Sequence, residues 1–174
     1  MKLTVKSVHL FCPDFREIHR LLKSAFPKEE QTSMLLLLLG SLRKHTHFLR
    51  FYDAEGFVGL LYVIENDQYA FILYLAVNPE IRSKGIGGQI LEYARAQARK
   101  KNVVLNVESL DPSAVNYAQR KQRIAFYAKH GISETGYTFS ADKVNYAVLA
   151  SSVEAFNPEE YAKFLGGLHL EASK

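Results

Sequence analysis

The chain has 174 residues, 48% hydrophobic and 23% charged, with a formal net charge of +4. That length predicts one domain burying roughly 70% of its unfolded surface, and the scattered, mild positive charge excludes a nucleic-acid-binding face. One cysteine, Cys12, excludes an intrachain disulfide framework and fits a reducing cytoplasm; no apolar run nears the ~20 residues that span a bilayer, so no membrane role is expected, and Lys6 and His9 interrupt any signal-like start.

Residues 3–11 alternate imperfectly (Leu3, Val5, Val8, Leu10) and read as an opening strand. Pro13 starts a helix with Phe15, Ile18, Leu22 and Phe26 on one face, stopped before Pro27. Residues 28–44 read as a second helix whose run Met34-Leu35-Leu36-Leu37-Leu38-Leu39 faces the core. Residues 47–52 and 57–65 flank Asp53-Ala54-Glu55-Gly56, a β-hairpin pattern. After the turn Asn66-Asp67-Gln68, residues 69–77 form an apolar strand. A helix over residues 89–101 follows, its stripe set by Ile86, Ile90, Ala94 and Ala98. Residues 103–107 make a short buried strand. The next helix runs from about Ala114 to His130 and closes at Gly131, a left-handed cap. Residues 132–139 and 144–151 form a closing hairpin, and Pro158 begins a short helix ending at Gly166-Gly167. Strands at both ends with helices between predict a mixed α/β fold. Residues 1–151 read as one domain, with 152–174 as a tail packed on it.

The segment Arg82-Ser83-Lys84-Gly85-Ile86-Gly87-Gly88 carries the most chemistry. It joins an apolar strand to a helix start, where unpaired N–H groups and the positive end of the dipole converge on an anion. Its glycines let a phosphate approach the main chain without a Cβ in the way. A nucleotide P-loop would need Lys-Ser/Thr after the last glycine, and Gly88 is followed by Gln89 and Ile90. A dinucleotide fingerprint would need a third glycine where Ile90 stands, although Glu108 falls where a ribose-binding acid would.

The run Leu75-Ala76-Val77-Asn78-Pro79-Glu80-Ile81-Arg82-Ser83-Lys84-Gly85-Ile86-Gly87 resembles the main motif of the GNAT superfamily of acetyl-CoA-dependent N-acyltransferases, with its core (R/Q)-x-x-G-x-(G/A). Downstream, Phe126-Tyr127-Ala128-Lys129-His130-Gly131-Ile132 resembles that family's second signature. The resemblance covers residues 1–150. It implies a mostly antiparallel sheet of about seven strands flanked by about four helices, with a short C-terminal helix added. It also implies acetyl-CoA as co-substrate and no metal. Arg82, Ser83, Lys84, Gly85, Ile86, Gly87 and Gly88 would then hold the pyrophosphate. The backbone of Leu75, Ala76 and Val77 would pair with the pantetheine arm, and the Val77 N–H would polarise the thioester carbonyl. Tyr127 matches the tyrosine that returns a proton to the departing thiolate; a phenol holds that proton at neutral pH.

Some positions depart from the pattern. Where relatives often carry a general base on the central strand, this chain has Phe71. Glu108 is the first replacement candidate, at the end of a central strand, the alternative being a solvated or Arg-paired carboxylate; Glu65 and Tyr74 are weaker candidates. Asn116 and Arg120 replace the usual asparagine arrangement ahead of Tyr127. Arg120, Lys121 and Arg123 read as a solvated basic face or a substrate clamp. His45-Thr46-His47 lacks the further ligands a metal would need. The expected activity is transfer of an acetyl group to a primary amine of unknown identity by direct attack in a ternary complex. The alternative is a CoA- or acyl-CoA-binding sensor of the same fold. Glu29 and Glu30 could draw a cationic amine or simply serve the helix dipole. Monomer and homodimer are both open.

Overall fold

The computed structural model describes residues 3–81, 85–141 and 143–168. Its elements are β1 (Thr4–Ser7), α1 (Phe15–Ala25), α2 (Met34–Gly40), β2 (Thr46–Tyr52), β3 (Phe57–Glu65), β4 (Tyr69–Val77), α3 (Ile86–Ala98), β5 (Asn102–Glu108), α4 (Tyr117–Lys129), β6 (Ser133–Ala141), β7 (Val144–Ala150) and α5 (Pro158–Gly167). The seven strands follow the order β1-β2-β3-β4-β5-β7-β6. β1–β2, β2–β3, β5–β7 and β6–β7 pair antiparallel. β4 and β5 pair parallel, in a register of Tyr69↔Asn102, Ala70↔Val103 and Phe71↔Val104. The mixed, mostly antiparallel sheet with five helices is the expected fold class. Two compact units divide the chain: Met1–Glu65 with Ile72–Gln97, and Asn66–Phe71 with Ala98–Lys174.

In the first unit the Asp53–Gly56 turn is built by its own aspartate, whose Oδ1 accepts from Glu55 N at 2.8 Å and Gly56 N at 3.1 Å. α1 presents Ile18, Leu21 and Leu22 to Phe48, Leu60, Tyr62 and Tyr74, the heart of this unit's core. Just before α1, buried Asp14 receives a hydrogen bond from Arg50 Nη1 and one from Tyr52 Oη at 2.7 Å, while Arg50 Nε donates to Ser7 O. The guanidinium thus satisfies a carboxylate and a carbonyl together, as a buried ion pair requires. α3 buries the predicted stripe, with Ile86, Ile90, Ala94 and Ala98 all among the core residues.

Two expectations in this unit fail. The opening strand ends at Ser7, and Leu10 and Phe11 stand exposed. Residues 28–44 are not one helix: a 3-10 turn (Lys28–Glu30) and an extended link lead into the seven-residue α2. Of the leucine run only Leu37 is buried, whereas Leu35, Leu36 and Leu39 are 53–66% exposed. So short a helix offers one buried position per turn to the core.

In the second unit β5 is buried along nearly its whole length, and α4 begins at Tyr117, three residues later than expected. Gly131 takes φ +71°, and Gly131 N donates to Ala128 O and Ile132 N to Tyr127 O, closing α4 as the sequence signals. Asn157 caps α5 by accepting from Glu159 N and Glu160 N, with Pro158 in the first turn. The buried Tyr161 donates to Asn106 Oδ1 at 2.7 Å, and its ring sits in an aromatic group with Tyr69, Phe71, Phe156 and Phe164. α5 is therefore part of this unit's core.

Candidate active site

The first unit holds the end of β4 and the start of α3, which flank the segment expected to bind an anion. At the end of β4, Asn78 turns the chain: its N–H donates to Val58 O at 2.9 Å and its carbonyl accepts from Ile81 N at 3.1 Å. Arg82, Ser83 and Lys84 lie outside the described residues. Gly85 re-enters at φ +74°, left-handed backbone that an L side chain resists, and no atom lies within 4 Å of where a Cβ would stand. Among the described residues the first bond of α3 runs from Gln89 N to Gly85 O at 3.2 Å. The N–H groups of Ile86, Gly87 and Gly88 therefore precede the helix's own ladder and are oriented as donors along its axis.

Along β4, Ile72, Tyr74 and Ala76 are buried while Leu73, Leu75 and Val77 are half-buried. The β4–β5 register ends at Phe71. Gly59 of β3 fixes the far end of β4. A Cβ there would lie 2.6 Å from Ala76 O and 2.9 Å from Ile90 Cδ1, so only glycine lets β3, β4 and α3 approach this closely. Its role escaped the sequence reading, although an isolated glycine inside a strand pattern is the signal that marks such an approach.

Tyr74 is not placed as a free base. Its hydroxyl donates to Glu30 O and accepts from Thr32 N at 2.9 Å, holding the link between α1 and α2. Gln31 Nε2 ties the same link to α1 by donating to Lys23 O at 3.0 Å and Phe26 O at 2.8 Å. Beside this latch lies a pocket of about 180 Å³ lined by α1, the link and Tyr74.

The second unit holds Glu108 and Tyr127. Asn116, Arg120, Arg123 and Tyr127 recur every three or four residues and share one face of the α4 segment. Glu108, buried at the end of β5, accepts from Arg120 Nη2 at 2.7 Å through Oε1 and from Asn116 Nδ2 at 3.0 Å through Oε2. Arg123 Nη1 lies 3.9 Å from Oε2. Arg120 also donates from Nε to Asn116 Oδ1 and from Nη1 to Ser109 O, each at 2.8 Å. This is the Arg-paired arrangement. The expected solvated face is wrong for Arg120 and Arg123, which turn inward onto the carboxylate; only Lys121 is fully exposed.

Tyr127 is 8% exposed. Burial pushes its phenol up to about 12, and the Arg123 guanidinium pulls it partway back. Phe71 packs against Tyr161 and Phe164, so this position is filled by a core aromatic that cannot accept a proton. Among the described residues, no group of three His, Cys, Asp or Glu is gathered as for a metal ion, and no helix is long and apolar enough to cross a membrane.

The mixed seven-stranded sheet, with left-handed Gly85 leading into the helix that follows its central strand, defines an α/β fold. The chain belongs to the acetyltransferase (GNAT) family, whose model matches residues 15–132. Among solved structures, a putative GNAT-family acetyltransferase from Bacteroides thetaiotaomicron aligns with TM-score 0.72 at 22% identity, covering 97% of this chain and 96% of the other. An aminoglycoside 6'-N-acetyltransferase complexed with coenzyme A aligns with TM-score 0.64 at 15% identity, over 86% and 97%. A spermidine N-acetyltransferase from Vibrio cholerae, in complex with CoA and spermine, gives 0.62 at 16%, over 85% and 94%. At such identities the likeness concerns the fold. A comparison with curated protein sequences returns no match.

Proposed function

We propose that the protein transfers an acetyl group from acetyl-CoA to a primary amine by direct attack in a ternary complex. The family match over residues 15–132 carries this assignment, and the geometry of β4, Gly85 and α3 supports it. The left-handed Gly85 and the helix-start N–H groups of Ile86, Gly87 and Gly88 suit a pyrophosphate, with Arg82, Ser83 and Lys84 supplying charge and further N–H groups. The half-buried Leu75 and Val77 alternate with buried Ala76 on the strand that would meet the pantetheine arm.

The amine nitrogen attacks the thioester carbonyl carbon, and the Val77 N–H steadies the oxyanion as it forms. The carbon–sulfur bond then breaks, and Tyr127 gives its proton to the leaving thiolate. The proton shed by the attacking amine passes to water, and the Tyr127 phenolate regains a proton from water. Both oxygens of Glu108 are occupied by Asn116 and Arg120, so its part is to hold the face of α4 that carries Tyr127, rather than to accept that proton.

The test is calorimetric titration with acetyl-CoA, followed by thiol release with a panel of amines and mass-spectrometric identification of the product. Binding weakened by Arg82→Glu, with amine-dependent thiol release, is the expected result; absence of acetyl-CoA binding sinks the proposal. A second possibility is a CoA- or acyl-CoA-binding sensor, favoured by the aromatic Phe71 and the fully paired Glu108. Tight binding with slow hydrolysis that no amine accelerates would select it.

A further inference from the structure

The pocket between α1 and the link to α2 combines an apolar lining with a cationic side chain. Its walls are Leu22, Phe26, Met34 and the ring of Tyr74, with Phe26 and Tyr74 edge to face at 4.7 Å between centroids. Its polar rim is His19, Lys23, Gln31, Thr32 and Ser33. Among the described side chains no carboxylate lines it, and the one permanently charged group there is the Lys23 ammonium, exposed and without an ion pair among the described residues.

Tyr74 sets the pocket near the strand end proposed to meet the cofactor. Tyr74 immediately precedes Leu75 on β4 and stands three residues, about 10 Å along a strand, from Val77. The pocket is also preformed: Tyr74 latches the link to β4, and Gln31 latches it to α1. At about 180 Å³ it is smaller than the ~300–1,000 Å³ that holds a whole drug-sized ligand. It has room for one side chain of an acceptor.

We infer that this pocket selects an acceptor whose amine stands beside a carboxylate and one apolar side chain, that is, an apolar α-amino acid. The inference rests on the acetyl-transfer function proposed above. The apolar side chain is buried against Leu22, Phe26 and Met34, and the carboxylate meets Lys23 at the rim, leaving the amine directed toward the end of β4. A polycation gains nothing here: its charges would be desolvated against Leu22 and Phe26 and repelled by Lys23. This separates the chain from relatives of the same fold whose names specify aminoglycosides and spermidine.

Three acceptors isolate the elements of the site: L-leucine; isoamylamine, which keeps the apolar group and lacks the carboxylate; and spermidine. With wild-type protein and saturating acetyl-CoA, kcat/KM should fall at least tenfold from leucine to isoamylamine, with spermidine lowest. Lys23→Glu, at an exposed position that does not threaten folding, should reverse the leucine and isoamylamine order while acetyl-CoA affinity measured by calorimetry stays within twofold. Spermidine as the best acceptor, or a leucine preference untouched by Lys23→Glu, overturns the pocket assignment and leaves acetyl transfer standing. Failure of acetyl-CoA to bind, or of any amine to release thiol, overturns both.

Discussion

Arg120 Nη2 donates to Glu108 Oε1 at 2.7 Å, pinning the first turns of α4 to the last residue of β5. Because Tyr127 lies on the same face as Arg120, two turns further on, this one ion pair helps set where the phenol stands. Replacing Arg120 by Ala leaves a buried carboxylate short of its main partner. The expected cost is roughly 2–3 kcal/mol by urea unfolding, below that of a fully buried pair because Arg120 keeps some solvent contact.

Glu108→Gln separates positioning from base catalysis. A glutamine can still accept from Arg120 through its carbonyl oxygen, so a positioning residue should lose less than about tenfold in kcat/KM with an unchanged pH profile. A base should lose the ~10²–10⁴-fold that general base catalysis supplies and alter the acid limb of the profile. Steady-state kinetics across pH 6–9 decides.

Gly59→Ala should weaken acetyl-CoA binding. Its Cβ would press on Ala76 O at 2.6 Å, and the strand end proposed to meet the cofactor must shift to make room. Overpacking of this kind costs about 1–3 kcal/mol of stability. Calorimetry on the folded variant should show acetyl-CoA affinity reduced tenfold or more; unchanged affinity would detach this strand end from the cofactor.

Tyr127→Phe should lower kcat by about 10²-fold while acetyl-CoA affinity stays nearly intact, since the phenol is proposed to act on the leaving thiolate. With its acid form held up to about pH 12, Tyr127 should impose no alkaline limb below pH 10. An alkaline limb near pH 9 that disappears in the Phe variant would contradict this.

Stability should also fall above pH 10. Burial raises both Tyr127 and Tyr62 to about 12, so between pH ~10 and ~12 the folded chain binds more protons than the unfolded one. The contribution is fully present below the unfolded value near 10 and is lost as pH rises through the folded value, on the order of 2 kcal/mol per phenol. Denaturant titrations at pH 9, 10 and 11 should show the slope, and Tyr127→Phe should flatten part of it.

Much of the frame was legible because it rests on local rules. Residues 69–77 are β4 to the residue, the Asp53 turn and the Gly131 cap sit where their chemistry demands, and the α3 stripe is buried as spaced. The link before α2 was not, because Tyr74 holds it from 42 residues away, a contact no window of sequence contains. The unbroken leucine run gave no polar positions from which to choose a buried face, so its exposure went unseen. On α4 the spacing of Arg120 and Arg123 was visible, but the side on which Glu108 waits was not. Positions 82–84, the most telling in the sequence, lie outside the described residues.

The double latch on the link between α1 and α2 separates two evolutionary problems. Gln31 and Tyr74 grip main-chain atoms and Thr32, leaving Lys23, Ser33 and Met34 of the lining free to vary without disturbing either grip. If the pocket holds the acceptor as proposed, new acceptors can be tried by exchanging a few lining residues while the strand that would meet the cofactor keeps its place.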